Sequence, residues 1–217
     1  MNKEWSNMNK TFQDQIKKES SFDDGIKNLL ELRKTLMDII LSFFQLERNS
    51  LDAMPFLNKQ GYESKNIAYS IYHIFRIEDI VCNVLLKEKN TDIFLKNDYQ
   101  NKMNSIIITT GNELQKEEIK RFTSNLDIDK LKDYILNVYD YTNYFLSNLS
   151  FSNLSRKMNE NDRERLVNLN VVSQDENAYF LVDYWCSKNV RGLIQMPFSR
   201  HWIMHVEAML RILDKLS

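Results

Sequence analysis

Apolar residues recur at steps of three and four along several long stretches of the chain, which is the period of an amphipathic α-helix. The first stretch runs from Phe22 to Glu47, and another runs from Asp127 to Ser150. The apolar positions in register are Ile26, Leu29, Leu30, Leu36, Ile40, Phe43 and Phe44 in the first, and Leu131, Ile135, Val138, Tyr141 and Phe145 in the other. Both stretches are predicted to be long helices that bury one face.

The stretch from Ser64 to Lys89 is apolar over more than half of its helical circumference. Ser64 is a suitable N-cap residue for this helix. One stripe comprises Ile67, Ile71, Ile74, Val81 and Leu85, and a second stripe beside it comprises Ile77, Ile80 and Val84. His73 lies on the second stripe. We therefore predict that this helix lies deep in the fold and that His73 is buried.

The end of the chain predicts two more helices. Residues 175–195 form one, capped near Asp175, and Pro197 suits the first turn of a closing helix. The polar segment 151–174 is expected to hold a short helix inside a long loop. Residues 151–196 together are thus an extended connection with an extra helix.

Three other segments are less regular. Residues 1–20 are polar apart from Trp5 and Phe12, and they are expected to fray or to form a short lead-in helix. Pro55 and Gly61 interrupt the pattern and predict a loop. Residues 91–125 contain a predicted short helix near 112–122.

The composition agrees with an all-α fold. The 217 residues include only Gly 4 and Pro 2, too few for the many turns of a β-rich fold. We see no internal repeat and no linker rich in glycine, proline or serine. The prediction is a single domain over residues 1–217, built as a four-helix bundle with additional short helices.

The charge and the cysteines narrow the class of protein. Lys+Arg 29 against Asp+Glu 30 gives a net charge of -1, which offers no electrostatic footprint for nucleic acid or for an anionic membrane. No apolar run approaches the ~18 residues of a membrane span, and the first residues lack the apolar core of a signal peptide. Cys82 and Cys186 are predicted to be buried free thiols in a reducing compartment. A cytoplasmic protein is expected.

Several familiar catalytic motifs are missing from the sequence. The four glycines are too scattered to form a phosphate-binding loop. Neither His201 nor His205 is followed by the glutamate of a zinc-protease H-E-x-x-H motif. None of the three histidines follows a glutamate at the Glu-x-x-His spacing of di-iron bundles.

The candidate chemistry lies in the histidines. His201 and His205 are one helical turn apart on one face, so both imidazoles can reach one divalent cation. His73 is the only other histidine in the chain, and a site built from all three would account for each of them. The alternatives are that the pair shares a face by chance and that His73 is a hydrogen-bonded core residue. A position near the positive end of the closing helix favours neutral imidazole, which is the form that binds metals.

Two segments resemble the second and final helices of the DinB/YfiT-like family. They are NIAYSIYHIFRIEDIVCNVLL, in which His73 is followed five residues later by Glu78, and HWIMHVEAMLRIL, which carries the histidine pair. The resemblance extends over residues 22–90 and 127–216. It implies an up-down-down-up four-helix bundle in which His73, His201 and His205 hold one divalent ion, and it implies a homodimer.

The chain departs from the family pattern in two places. Val206, Glu207 and Ala208 follow the last histidine, where the family often has a small residue and a glutamine. The connection 151–196 is longer than usual and is expected to cover or reshape the pocket.

The sequence also bears on whether acidic and tyrosine side chains near the histidines bind the metal or reach the pocket. Glu78 is turned roughly 140° from His73 on the helix, so both cannot bind one ion, and an ion pair with a neighbouring basic side chain is expected. Glu207 fails as a ligand for the same reason. Asp183, Tyr179 and Tyr184 could reach the pocket from the penultimate helix, but the sequence does not select among them.

Two functions are compatible with these features. The first is a metal-dependent enzyme with one divalent transition metal (zinc, nickel or iron) that acts on a small-molecule substrate. The characterised members of the family that it resembles include transferases that use bacillithiol or another low-molecular-weight thiol as cosubstrate, which makes an S-transferase the first candidate. The alternative is a non-catalytic stress-response or ligand-binding bundle in which any metal is structural or incidental.

Overall fold

Helices connected by irregular segments account for the regular structure in the computed structural model, which describes residues 2–56 and 65–216. The helices are α1 (Lys3–Gln15), α2 (Phe22–Phe43), α3 (Arg48–Asp52), α4 (Ile67–Ile80), α5 (Ile93–Lys96), α6 (Tyr99–Lys102), α7 (Glu117–Asn125), α8 (Ile128–Ser147), α9 (Glu160–Leu169), α10 (Glu176–Cys186), α11 (Val190–Gln195) and α12 (His201–Leu216). Within these ranges no residue belongs to a β-strand, and the all-α prediction is confirmed. No helix of the described part is long and apolar enough to cross a bilayer.

Helix α4 is buried on every side, as its double apolar stripe predicts. It continues beyond Ile80 as a π-helical segment, Val81–Leu86, and every side chain from Ile67 to Leu85 is buried. Its N-cap is Asn66, whose side chain accepts a hydrogen bond of 2.8 Å from the backbone N–H of Tyr69. Ser64, the predicted cap, lies outside the described residues, as does Gly61 of the predicted loop.

The four long helices α2, α4, α8 and α12 contact one another in a closed sequence. Helix α2 packs against α8, α8 against α4, α4 against α12, and α12 against α2. Their apolar faces supply much of a large buried cluster that includes Leu36, Phe75, Tyr134 and Trp202. The up-down-down-up order of a family bundle stays a prediction.

The N-terminal segment forms a helix that packs along α2. Trp5 and Phe12 of α1 are buried, and Gly25 of α2 permits the close approach of the chain that follows α1. A Cβ atom at Gly25 would lie 2.7 Å from Cγ2 of Ile16, which is too close for any side chain. Of the two outcomes expected for this segment, the lead-in helix is the one observed.

The connection 151–196 is more helical than the sequence pattern indicates. A 3₁₀ turn (Phe151–Ser155) and α9 precede α10, and the helix expected over 175–195 is divided into α10 and α11. The division occurs because the side chain of Asn189 caps a new helix, accepting a hydrogen bond of 2.9 Å from the N–H of Gly192. The N-cap predicted at Asp175 is confirmed.

Pro197 stands one turn earlier than expected. It opens a π-helical turn, Met196–Arg200, and α12 itself begins at His201. The histidine pair therefore occupies the first turns of the closing helix, as predicted.

A buried ion pair links the four long helices. Arg33 of α2 and Glu78 of α4 are completely buried, and two guanidinium N–H groups donate to the two carboxylate oxygens at 2.7 and 2.8 Å. Arg33 also donates to Oδ1 of Asn143 on α8 at 2.8 Å. The indole N–H of Trp202 on α12 donates to the same carboxylate at 2.7 Å. The ion pair expected for Glu78 is confirmed, and its partner comes from a different helix.

We predict that Glu78→Gln lowers the free energy of unfolding by about 3–5 kcal/mol, because it leaves the buried guanidinium of Arg33 without a counter-charge. The double variant Arg33→Met, Glu78→Met should recover most of that loss, since it removes both charges. Urea unfolding of the two variants and the wild type measures the difference.

Asp38→Asn is the matched control, because Asp38 forms an exposed ion pair with Lys34 on the same helix α2. Its effect should stay below about 0.5 kcal/mol. A Glu78→Gln variant as stable as Asp38→Asn would contradict the role given to the buried pair.

Candidate metal centre

The three histidines of the chain meet between α4 and α12. His73 comes from the middle of α4, and His201 and His205 come from the first two turns of α12. One ring nitrogen from each histidine lies within 4.8 Å of one from each of the others. His73 and His201 are 4% and 8% exposed, and His205 is partly exposed. The prediction that these residues lie together is confirmed.

A hydrogen bond fixes the orientation of His73. Its Nδ1 lies 2.8 Å from the carbonyl oxygen of Thr110. A carbonyl only accepts, so Nδ1 carries the proton and Nε2 is the atom with a free lone pair. That Nε2 points toward α12. A backbone carbonyl behind the ring is the usual second-shell partner of a metal-binding histidine.

The segment that holds His73 in place is itself held by α4. The carbonyl oxygens of four consecutive residues, 108–111, accept hydrogen bonds from side chains of this helix. The donors are Nε of Arg76 to residue 108 (2.8 Å), the hydroxyl of Tyr72 to residue 109 (2.9 Å), Nδ1 of His73 to residue 110 (2.8 Å) and the hydroxyl of Tyr69 to residue 111 (3.0 Å). One irregular strip of backbone thus aligns on a helix and positions the imidazole.

Trp202 positions the histidine-bearing turn of α12. It follows His201 directly, and its indole N–H is bound to the carboxylate of Glu78 while Arg33 lies over its ring at 4.5 Å from the centroid. These contacts fix the rotation of the first turn of α12 relative to α4. The buried ion pair therefore sets the position of the histidine pair.

The geometry of the cluster suits a divalent transition metal. The Nε2 atoms of His73 and His201 are 3.2 Å apart. Two zinc–nitrogen bonds of about 2.0–2.1 Å at a tetrahedral angle would place their nitrogen atoms about 3.3 Å apart. Nδ1 of His201 is buried and has no hydrogen-bond partner among the described residues. A cation between the two Nε2 atoms would be bound by one lone pair from each ring, and Nδ1 of His201 would then carry the proton of that ring.

Burial keeps all three imidazoles neutral. The pKa of His73 falls from 6.5 to about 3, mainly through burial and then through the charge of Lys65, while the hydrogen bond to the Thr110 carbonyl acts in the opposite direction. The pKa of His201 is also well below 6.5. Burial is the largest cause, and His73 and Lys65 lower it further. The pKa of His205 is well below 6.5 for the same first reason, with His201 next. Neutral imidazole is the form that binds a metal.

A cavity of about 360 Å³ opens at the histidines. Its lining comprises Lys65, His73, Ile77, Asn112, Phe180, Leu181, Tyr184, Trp185, Met196, Pro197, His201 and His205. Helix α10, the extra helix of the long connection, supplies four of these residues and so forms one wall. The long connection therefore forms part of the pocket wall through this helix, and a reshaping relative to the family's pocket stays a prediction.

Of the three α10 residues that the sequence left open, only Tyr184 is part of the lining. Asp183 forms an ion pair with Arg163 at 2.5 Å, and Tyr179 packs with apolar residues of a second buried cluster. Glu207, on the other face of α12, accepts a hydrogen bond from the backbone N–H of Asn2. Neither carboxylate belongs to the cavity lining.

The sequence did not indicate three residues of the site, Lys65, Thr110 and Asn112. Thr110 and Asn112 lie in a segment without periodicity, and Lys65 precedes a helix whose start the pattern placed earlier. Both cysteines are free, but only Cys82 is buried; Cys186 is half-buried, which corrects that expectation in part. Burial raises the pKa of the Cys82 thiol, so Cys82 is an inert core residue.

We predict that the metal-free chain loses stability as the pH falls from 7 to 5. The imidazole pKa values are lowered in the folded chain, so the unfolded chain takes up protons near its pKa of about 6.5 that the folded chain does not. Each histidine then lowers the free energy of unfolding by up to about 1.4 kcal/mol per pH unit below its unfolded pKa, which amounts to about 2 kcal/mol between pH 7 and pH 5. Urea unfolding in the presence of a chelator measures this dependence.

The double variant His201→Gln, His205→Gln is the reference for this measurement. Carboxylates titrate alike in both proteins, so the difference between the two pH profiles isolates the histidines. The variant keeps one of the three histidines, so the part of its stability loss that is due to histidine should be about a third of that in the wild type. Parallel profiles would contradict the neutral burial of the cluster.

Comparison with models of known families, with curated proteins and with solved structures finds no match to this chain.

Proposed function

We propose that this chain is a metal-dependent enzyme that binds one divalent transition metal through His73, His201 and His205 and acts on a small molecule. The observation that carries the proposal is the convergence of three neutral imidazoles at the wall of a cavity. Three protein ligands leave at least one position of a tetrahedral ion open, which distinguishes catalytic sites from structural ones.

The chemistry divides between the metal and the protein. A divalent ion held by the histidines acts as a Lewis acid and lowers the pKa of a bound water or thiol. The Thr110 carbonyl keeps His73 in the tautomer that offers Nε2. The apolar wall formed by residues such as Ile77, Leu181 and Trp185 limits the access of water to the bound substrate.

We propose membership of the DinB/YfiT-like family on the same residues. The closed sequence of contacts among α2, α4, α8 and α12 and the placement of the histidines on α4 and α12 support it. The reaction that this membership would favour is transfer to a low-molecular-weight thiol. The homodimer implied by the resemblance stays a prediction.

Elemental analysis of tag-free protein tests the metal site. We expect close to one transition-metal ion per wild-type chain and little in the double variant His201→Ala, His205→Ala. Cys186→Ser is the matched control, because Cys186 is a half-buried potential ligand outside the cluster, and it should retain the metal. Wild-type protein that contains no metal and takes up neither zinc nor nickel would overturn the proposal.

Metal should also raise the melting temperature. An ion that binds only the folded chain stabilises it by about 2.7 kcal/mol at a hundredfold excess over Kd. His73→Ala should fold and should lose this shift. A His73→Ala variant that fails to fold would instead identify His73 as a core hydrogen-bonding residue.

The cobalt-substituted protein separates an enzyme from a non-catalytic bundle. If the metal has an open position, a small thiol or azide should enter it and change the visible spectrum. If neither changes the spectrum of a protein that holds cobalt, the position is closed, and the non-catalytic alternative replaces the enzyme.

A further inference from the structure

Among the described residues that line the cavity, charge is of one sign. Lys65 carries a cationic side chain, and none of the described lining residues is acidic. A histidine that binds a metal is neutral, so the three histidines would balance neither the ammonium group nor a bound dication. Charges confined in a partly apolar cavity interact more strongly than charges in water. A metal-loaded cavity of this composition attracts an anion.

Lys65 is held at the cavity by the start of α4. The next residue, Asn66, is fully buried; it caps the helix, and its amide donates to Oγ1 of Thr123 at 2.9 Å. Burial lowers the pKa of Lys65, and its charge acts on all three imidazoles. Within the described part of the chain it forms no ion pair with an acidic side chain. A partly buried ammonium group that lines a cavity is suited to an anionic ligand.

Asn112 adds a neutral donor to the same lining. Its side-chain oxygen accepts a hydrogen bond of 2.9 Å from the hydroxyl of Thr110. This contact engages the amide oxygen, so the N–H groups of the same side chain are the ones available as donors. Lys65 and Asn112 together can therefore recognise oxygen or sulfur atoms that carry negative charge.

The opposite wall is aromatic. Phe180, Tyr184 and Trp185 of α10 line the cavity with Pro197. Phe180 is 53% exposed, an unusual position for a large apolar ring. A ligand that covered this ring would remove apolar surface from water, which favours binding.

We infer that the cavity binds a small organic anion with an apolar body, such as an aromatic or aliphatic carboxylate. Lys65 and the metal share recognition of the anionic group, and the aromatic residues of α10 hold the apolar body. This inference rests on the proposed function, because it assigns a substrate class to the same site. The volume of the cavity, about 360 Å³, is within the usual range of small-molecule sites.

Calorimetric titration of the zinc-loaded protein with three matched compounds tests the inference. Phenylacetate carries both features, phenylacetamide replaces the charged group with a neutral one, and acetate lacks the aromatic body. We expect phenylacetate to bind about tenfold or more tightly than either of the others, since a hydrogen bond to a charged group is worth more than one to a neutral group. Metal content is measured on every sample.

Two variants separate the two parts of the site. Lys65→Met should weaken phenylacetate about ten- to hundredfold, leave phenylacetamide unchanged and retain the metal at equal or higher affinity, because a repulsive charge is gone. Phe180→Ala should weaken phenylacetate and phenylacetamide alike and leave acetate unchanged. Lys34→Met, on the exposed side of α2, is the control for loss of a lysine and should bind as the wild type does.

The outcomes distinguish the inference from the proposed function. Zinc-loaded wild type that binds phenylacetate no better than phenylacetamide, or that does not bind it, overturns the anion assignment and leaves the metal site in place. A metal-loaded Lys65→Met variant that binds phenylacetate as tightly as the wild type also overturns the anion assignment and leaves the metal site in place. Wild type that holds no metal overturns both.

Discussion

The structure depends on the buried pair of Arg33 and Glu78. Two opposite charges without access to water are costly unless their geometry is close to ideal and their remaining hydrogen-bonding groups are satisfied. Here the pair is bidentate, and Asn143 and Trp202 supply further partners from two other helices. Displacing any one of the four long helices would leave a buried polar group unpaired. The network thus specifies one arrangement of the helices where apolar packing alone would tolerate several.

The candidate centre uses this constraint. Trp202 ties α12 to the ion pair, and the neighbouring residue His201 is thereby turned toward α4. On the other side, His73 is oriented by the Thr110 carbonyl, in a strip of backbone bound to α4 by three further side chains. His73 and the turn that carries His201 are thus positioned by contacts outside the histidine cluster. Such support is what a metal centre requires in order to present its nitrogens at a fixed separation.

The histidines and the other polar and aromatic residues of the cavity come from different segments of the chain. The long helices α4 and α12 supply the histidines, whereas the segments outside them supply the groups that would select a ligand. Lys65 comes from the residue before the α4 cap, Asn112 from the strip that follows α4, and Phe180 and Tyr184 from the extra helix α10. Substitution of these side chains would change the wall that faces a ligand and would leave the three histidines themselves in place.

The sequence by itself determined the helical class, the course of the long helices and the identity of the three histidines. These are local properties, since a period of 3.6 and a spacing of four residues are legible in one segment at a time. It also indicated that Glu78 is a structural ion-pair residue, because its angle on the helix separates it from His73.

Only the tertiary structure decided which partners meet. Arg33 is 45 residues from Glu78, and no local pattern connects the two. The same is true of Lys65 and Asn112 in the cavity, and of Thr110, whose contribution is a backbone carbonyl and so leaves no trace in side-chain chemistry. Contacts of this kind depend on how helices pack in three dimensions, which a pattern along one chain does not record.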